Sequence, residues 1–373
     1  MDNKKPKILF ILHLPPPVHG AAIMGDLIRN STVINNTFEA DYINLSIAKK
    51  LSEIQKYSIQ KFFRLLQLQG IVFWALLKNK YDLCYITLTV NGSGFYKDLM
   101  IVLLLKLFRR RIIYHFHNKG VETTSRWGFN RWLYRFTFRN TKSILLSSHL
   151  YSDIRQYVAE KDVYFCPNGI PANSVPDFER PVKNGNEVCK LLFFSNMMLQ
   201  KGVYVLLDAC KIMKDKGVKF ECHFVGAWSD ISEIEFMNEI EKSGLQGYIF
   251  AYGGQYGADK TKFFRDSDVF IFPTYNETFG LVNLEAMQFS LPVISTTEGG
   301  ISEVVNDGET GFLVPRRNIT ALAKKIEILI NDAELRRKMG EAGRERYYSA
   351  FTIEKFQERL ANILKDAATS AKS

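Results

Sequence analysis

At 373 residues the chain exceeds the length over which one hydrophobic core keeps growing, so two domains of ordinary size are expected. Its 46% apolar and 24% charged content is that of a soluble globular protein and excludes disordered, low-complexity and short-repeat chains. The formal net charge of +10 is lopsided: residues 1–170 carry 24 Lys and Arg against 11 Asp and Glu, the rest 25 against 28, which points to an anionic partner for the first half.

In chain order, "KILFILHL" (7–14) follows basic residues as a secretory signal does. Pro15, Pro16 and Pro17 come next with no small-residue cleavage site, and a first β-strand is the better reading. His19 and Gly20 then precede a helix from about Ala21. A glycine there lets backbone approach a ligand and the helix start adds N–H donors, although a plain strand-to-helix turn has the same sequence. "GIVFWALL" (70–77) and "LMIVLLL" (99–105) fall short of the ~18 apolar residues of a bilayer span and read as core segments.

"DLCYITLTV" (82–90), "RIIYHFH" (111–117) and "SILLSS" (143–148) read as further buried strands. His115 and His117, at i and i+2, point to one side of theirs, and no nearby Cys, Asp or Glu supplies the third ligand that a metal needs. The basic excess concentrates in "KLFRRR" (106–111) and "RWGFNRWLYRFTFRN" (126–140). On a helix, Arg131, Arg135 and Arg139 form one stripe and Phe129, Trp132, Leu133 and Phe136 an apolar one. This suits the plane of an anionic membrane, and equally a core-facing helix with a solvated basic back. No nucleic-acid reader motif accompanies the charge. The five cysteines, odd in number and without a C-x-x-C, fit reduced thiols in the cytosol rather than a zinc site or disulfides.

"PNGIPANSVPDFERPVKNGNE" (167–187), dense in Pro, Gly and Asn, reads as a linker. Beyond it, "KLLFFSN" (190–196), "KFECHFVG" (219–226), "YIFAYG" (248–253), "DVFIFP" (268–273) and "LPVIST" (291–296) repeat the strand pattern. Two α/β, doubly wound, Rossmann-like domains follow, residues 1–170 and 171–350. A last helix over 351–367 comes after a helical stretch at 332–347 and is free to pack back on the first domain. Ligands of such sheets bind outside the carboxyl ends of the strands, which places the expected site in a cleft where the two sheets face each other.

After the strand ending at Pro273 comes "NETFGLVNLEA" (276–286), with Glu277 and Glu285 eight positions apart. Were both helical they would stand ~12 Å apart and ~80° out of phase. A glycosidase needs its carboxyls at roughly 5–5.5 Å or 6.5–9.5 Å, so the spacing suits an elongated ligand touched at both ends. Between them, the first-turn amides of Phe279, Gly280 and Leu281 carry the positive end of a helix dipole and form a phosphate seat.

The run "FPTYNETFGLVNLEAMQFSLPVISTTEGGISEVVNDGETGFLVP" (272–315) resembles the E-x7-E region of retaining GT-B fold nucleotide-sugar glycosyltransferases, in particular glycosyltransferase family 4. "PNGIP" (167–171) looks like that family's linker and "NMMLQKGVYVLLDA" (196–209) like its R-x-x-x-x-K-G segment. "HFVG" (223–226) looks like the strand before its nucleotide pocket. The resemblance implies transfer of a sugar from a nucleoside diphosphate, a UDP-sugar in preference to a GDP-sugar, with retention and no essential metal or other cofactor. It implies a saccharide or polyprenyl-linked acceptor, as in bacterial surface polysaccharide biosynthesis on the cytoplasmic face of the membrane.

Carried over residue by residue, Glu285 would hold the donor ribose, Glu277 would approach the donor sugar and Lys201 would neutralise the departing diphosphate. The amides of Phe279, Gly280 and Leu281, with those of Gly299, Gly300 and Ile301, would hold the diphosphate or sugar. His117 would contact the donor sugar and Gly20 would line the cleft. The segment Phe250–Gly254, Tyr252 included, would meet the base largely through backbone. One departure is visible: Asn196 stands where the family commonly has arginine, and an amide has no charged fork for phosphate. A nucleotide-sugar epimerase or hydrolase of the same fold and a catalytically silent carbohydrate-binding protein remain alternatives. A dehydrogenase is disfavoured because no G-x-G-x-x-G opens a helix.

Overall fold

The computed structural model describes residues 5–47, 59–126, 128–172 and 188–369; most of the stretch read as a linker, 173–187, lies outside them. The chain forms two units, residues 1–169 with 353–373, and residues 170–352.

In the first unit, β1 (Lys7–Leu12), β2 (Glu39–Asn44), β3 (Leu83–Ile86), β4 (Ile112–His115), β5 (Lys142–Leu145) and β6 (Val163–Phe165) pair in parallel in the order β2-β1-β3-β4-β5-β6. The central strands are uniformly apolar because both faces are covered: LCYI of β3 and IIYH of β4 are wholly buried. Parallel neighbours need crossovers, and helices supply them. α1 (Gly20–Arg29) and α2 (Thr32–Thr37) join β1 to β2, and α3 (Ile59–Lys78) precedes β3. α4 (Gly92–Leu107) joins β3 to β4, α5 (Val121–Thr124) and α6 (Gly128–Phe138) join β4 to β5, and α7 (Tyr151–Ile154) precedes β6. With this strand order, right-handed crossovers put α3, α4 and α6 side by side on one face of the sheet and α1 on the other.

In the second unit, β7 (Cys189–Phe194), β8 (Phe220–Val225), β9 (Ile249–Ala251), β10 (Val269–Phe272), β11 (Val293–Thr296) and β12 (Gly311–Val314) are again all parallel, in the order β12-β11-β10-β7-β8-β9. The chain runs outward from β7 through β8 and β9, returns past β7, and runs outward the other way from β10. The order therefore reverses at β7, and loops leaving β7 and β10 diverge and open a crevice. The sheet is clothed by α8 (Val203–Asp215), α9 (Glu233–Lys242), α10 (Gly257–Asp266), α11 (Leu281–Gln288), α12 (Ile301–Val304), α13 (Ile319–Asn331) and α14 (Ala333–Ala350). The start of α9 is set by a capping box between Ser232 and Glu235.

The last helix, α15 (Ile353–Thr369), belongs to the first unit. Its Phe356 ring stacks at 6.4 Å on His115, Gln357 donates to Leu27 O at 3.3 Å, and Ala368 O accepts from Arg111 Nη1 at 2.6 Å.

Three strands were not read from the sequence, β2, β6 and β12, and all three are sheet edges. "LMIVLLL" is mostly core, with Leu99, Ile101, Val102 and Leu105 buried, whereas "GIVFWALL" buries only Val72 and Leu76. Both lie in helices, α3 and α4, which bury Val72, Leu76, Ile101 and Val102 but leave Trp74, Leu77, Met100 and Leu103 in solvent. A helix turns its apolar residues outward as well as inward when the run is continuous.

Candidate functional site

Lys201 closes a 3-10 turn, Leu199–Lys201, just after β7. The turn runs into Gly202 at φ +82°, where an added Cβ would lie 2.1 Å from Pro273 O, so only glycine brings this loop against the end of β10. Gln200 fastens the two loops: its carbonyl accepts from Tyr275 N and Thr274 Oγ1, each at 2.9 Å, and its side chain accepts from Asn276 Nδ2. As a result Lys201 Nζ stands 2.7 Å from Glu277 Oε2, with 21% and 20% of the two side chains exposed. The ammonium also lies 5.6 Å from the centroid of Phe272.

The other carboxylate oxygen of Glu277 accepts from Thr278 N at 2.8 Å and Phe279 N at 3.4 Å. Part of the predicted phosphate seat is thus occupied by the protein's own carboxylate. Gly280 precedes α11 and has no side chain with which to cap it, and among the described residues the amides of Gly280 and Leu281 have no acceptor. Beside them, Gly299 at φ +55° packs so close that a Cβ would lie 2.3 Å from Glu277 O. Of the three amides expected from "GGI", two are committed inside the protein: Gly300 N donates to Thr278 O at 2.7 Å and Ile301 N to Glu298 O at 3.1 Å. Gly299 N is the one without an acceptor among the described residues.

Glu285 does not pair with Glu277. Its Oε2 is 2.7 Å from Lys260 Nζ on α10, so each glutamate has its own cation, at opposite ends of the N-terminal stretch of α11. Lys260 Nζ also stands 5.3 Å from the centroid of Phe194, two residues before the exposed Asn196. Sequence reading missed Lys260, since nothing in "GADKTKFF" distinguishes it from a solvated helix lysine. It also missed Asn283, which is fully buried, has no partner for Oδ1 or Nδ2 among the described residues, and would meet a Cβ on Gly280 at 2.7 Å. Tyr252 follows β9, with its hydroxyl turned to His223 Nδ1 at 3.0 Å and its backbone also engaged, N donating to Phe224 O at 3.0 Å and O accepting from Gln255 Nε2 at 2.9 Å. Burial lowers the His223 imidazole and raises the Tyr252 phenol.

Two further expected residues belong to the first unit. Gly20 starts α1, where a Cβ would meet nothing within 4 Å and His19 Nδ1 accepts from Ala22 N at 3.4 Å, so the fold itself does not demand glycine there. His117 follows β4 with its ring 4.4 Å from that of His115, as the i, i+2 spacing requires. His115 is a core residue bonded to Tyr85 OH at 2.5 Å. The Nε2 of His117 is buried without a partner among the described residues, and burial pulls its pKa down to about 4, with the neighbouring His19 adding to the fall. Among the described residues no cluster of three or more His, Cys, Asp and Glu could hold a metal ion.

Residues 177–346, the bulk of the second unit, match the family described as glycosyl transferases group 1. The second unit matches the group 1 glycosyltransferases. The chain is 32% identical over 177 residues to the capsular polysaccharide biosynthesis glycosyltransferase CapM of Staphylococcus aureus, covering 46% of this chain and 44% of CapM. The match spans less than half the length of this and the next curated relatives. Over nearly the whole chain the fold is similar to a glycosyltransferase from Rickettsia africae (TM-score 0.75, 20% identity, 98% of this chain and 100% of that one). It is also similar to HepE of Anabaena solved with UDP (TM-score 0.72, 18% identity, 96% and 100%). These likenesses show the fold: two parallel six-stranded α/β units, as in the GT-B glycosyltransferases. The group 1 match covers the loops that carry Lys201, Glu277, Glu285 and Gly299.

Proposed function

We propose that the protein is a retaining glycosyltransferase that uses a nucleoside diphosphate sugar, a UDP-sugar first among them, and glycosylates a saccharide or lipid-linked saccharide of a bacterial surface polysaccharide. The observation that carries this reading is the pairing of Lys201 with Glu277 beside the open amides of Gly280 and Leu281, at the strand-order reversal. The name of CapM supports the polysaccharide, and the UDP bound to HepE supports the donor.

On this reading the diphosphate displaces Glu277 from the amides and from Lys201. The carboxylate is released to the sugar hydroxyls, while Lys201 and the α11 amides take the phosphate charge. In the transfer step the bond from the anomeric carbon to the diphosphate oxygen breaks and the bond to the acceptor oxygen forms on the same face. The acceptor proton passes to the departing phosphate oxygen, so no covalent enzyme intermediate is required. Lys201 and the amides supply the positive charge that a metal supplies elsewhere, which is the basis for proposing metal independence. Glu285 binds the ribose hydroxyls.

A screen of UDP- and GDP-sugars by thermal unfolding and slow donor hydrolysis tests this. A UDP-sugar should raise Tm and be hydrolysed, and Glu285→Ala should abolish both effects. If no nucleotide sugar stabilises the protein and the substitution changes nothing, the proposal fails.

A further inference from the structure

The outer surface of the first unit serves neither its core nor the site described above. α3 is apolar on two opposite sides: Leu68, Val72 and Leu76, at i, i+4 and i+8, are buried against the unit. On the far side, by the helical period, lie Ile59, Phe63, Leu66, Trp74 and Leu77, each between 47% (Leu66) and 73% (Ile59) exposed. A helix that merely covers a sheet carries polar residues on that side. The apolar surface continues onto the neighbouring helices, where Leu103 and Leu107 of α4 and Phe129 and Trp132 of α6 are also exposed.

Side-chain contacts join the three helices into one face. Phe73 of α3 meets Phe108, just past α4, edge to face at 5.6 Å, and Arg110 donates to Leu76 O and Asn79 O at the end of α3. Lys106 of α4 donates to Arg139 O at 2.7 Å and stands 5.2 Å from the centroid of Phe136 of α6. Phe136 in turn stacks on Trp132, and Trp132 on Phe129. The sequence placed Leu133 and Arg139 in the apolar and basic stripes of α6. Leu133 is instead buried and Arg139 lies past the end of the helix, so the aromatic and basic residues of α6 share the outward side.

Charge decides what this face fits. Residues 59–139 hold 14 Lys and Arg against 3 Asp and Glu, and of the acids Asp98 is buried against Lys97. A second copy of the chain on this face would set two such basic surfaces against each other, whereas an anionic bilayer offers opposite charge together with an apolar interior. No described helix is long and apolar enough to cross a membrane, so the geometry is that of a surface lying on one. We propose that the α3–α4–α6 face of the first unit docks on an anionic lipid bilayer, with the Phe63–Trp74–Leu77 side of α3 in the headgroup boundary and Arg131 and Arg135 among the lipid phosphates. This inference is independent of the glycosyl-transfer reading, and either can fail alone.

The full chain is sedimented with vesicles of phosphatidylglycerol and phosphatidylcholine in equal parts, and with phosphatidylcholine alone. Binding to the anionic vesicles is expected to fall at least tenfold as salt rises from about 50 mM to about 500 mM. Phe63→Ser, Trp74→Ser and Leu77→Ser together remove only exposed side chains, so Tm should hold while partition falls at least tenfold. Arg131→Glu with Arg135→Glu should weaken anionic binding by a similar factor and leave the weak binding to phosphatidylcholine unchanged. Wild-type partition by the serine variant overturns the proposal. So does a wild-type dimer that the serine variant converts to monomer without loss of vesicle binding, which would make the face a protein interface.

Discussion

Lys260 Nζ lies 2.7 Å from Glu285 Oε2 and 5.3 Å from the centre of the Phe194 ring, which puts a cation from α10 beside the segment where Asn196 offers only an amide. Its flexible stem lets it move from Glu285 to a phosphate when a nucleotide ribose takes the carboxylate. Lys260→Met should therefore raise the Kd for UDP about tenfold, or ~1.4 kcal/mol, with little change in Tm, as read by calorimetric titration. An equal or tighter Kd would mean that Lys260 only occupies Glu285 in the free protein.

Lys201 and Glu277 hold each other in the free protein and part on the proposed reaction path. Lys201→Met should lower kcat by about 10² to 10³, since it removes charge stabilisation at the departing diphosphate. Glu277→Gln should keep UDP affinity within about threefold and still lower kcat, because its loss is felt at the sugar. Parallel measurement of UDP binding and turnover separates the two, and a Glu277→Gln enzyme with normal turnover would falsify the assignment.

Asn283 is buried, and among the described residues neither polar atom of its amide has a partner. A buried amide without partners costs about 1–3 kcal/mol, which an apolar side chain of similar size does not incur. Asn283→Leu is therefore expected to raise the urea midpoint at an unchanged slope, and a lowered midpoint would show that a water or a neighbouring group satisfies the amide.

Burial holds the His117 imidazole neutral down to about pH 4, and pushes His13 and His115 well below 6.5 in the same direction. An unfolded histidine binds its proton near 6.5, so between pH 6.5 and about 4 the unfolded chain carries more protons. The His117 contribution should be full above 6.5, fall as pH drops through that window and level off below it, while His13 and His115 extend the loss to lower pH. The share of His117 is at most about 3 kcal/mol. Urea titrations from pH 7.5 down to 4.5 should show a shallower loss for His117→Gln than for the wild type, and identical slopes would place the burden on the other histidines.

The central strands were legible because parallel strands covered on both faces have to be continuously apolar, as "KILFIL", "LCYI" and "VFIF" are. The edges were not. β2 reads EADYIN with only Ile43 buried, β6 reads VYF with only Val163 buried, and β12, GFLV, is apolar but follows directly on the turn-forming "NDGET" (306–310). Predicted strands also ran past their ends, "KLLFFSN" to Asn196 where β7 ends at Phe194 and "YIFAYG" to Gly253 where β9 ends at Ala251.

By itself the sequence determined the two parallel sheets, the order of loops at their carboxyl ends and the separation of Glu277 from Glu285, since periodicity and spacing are local properties of the chain. Only the tertiary structure decided which charges meet. Lys201 reaches Glu277 across 76 residues because Gly202 and Gln200 bind the two loops together, and Lys260 reaches Glu285 from another helix. It also decided which side of α3 the unit covers, a matter of the neighbouring elements that no pattern within a helix apolar on both sides can settle.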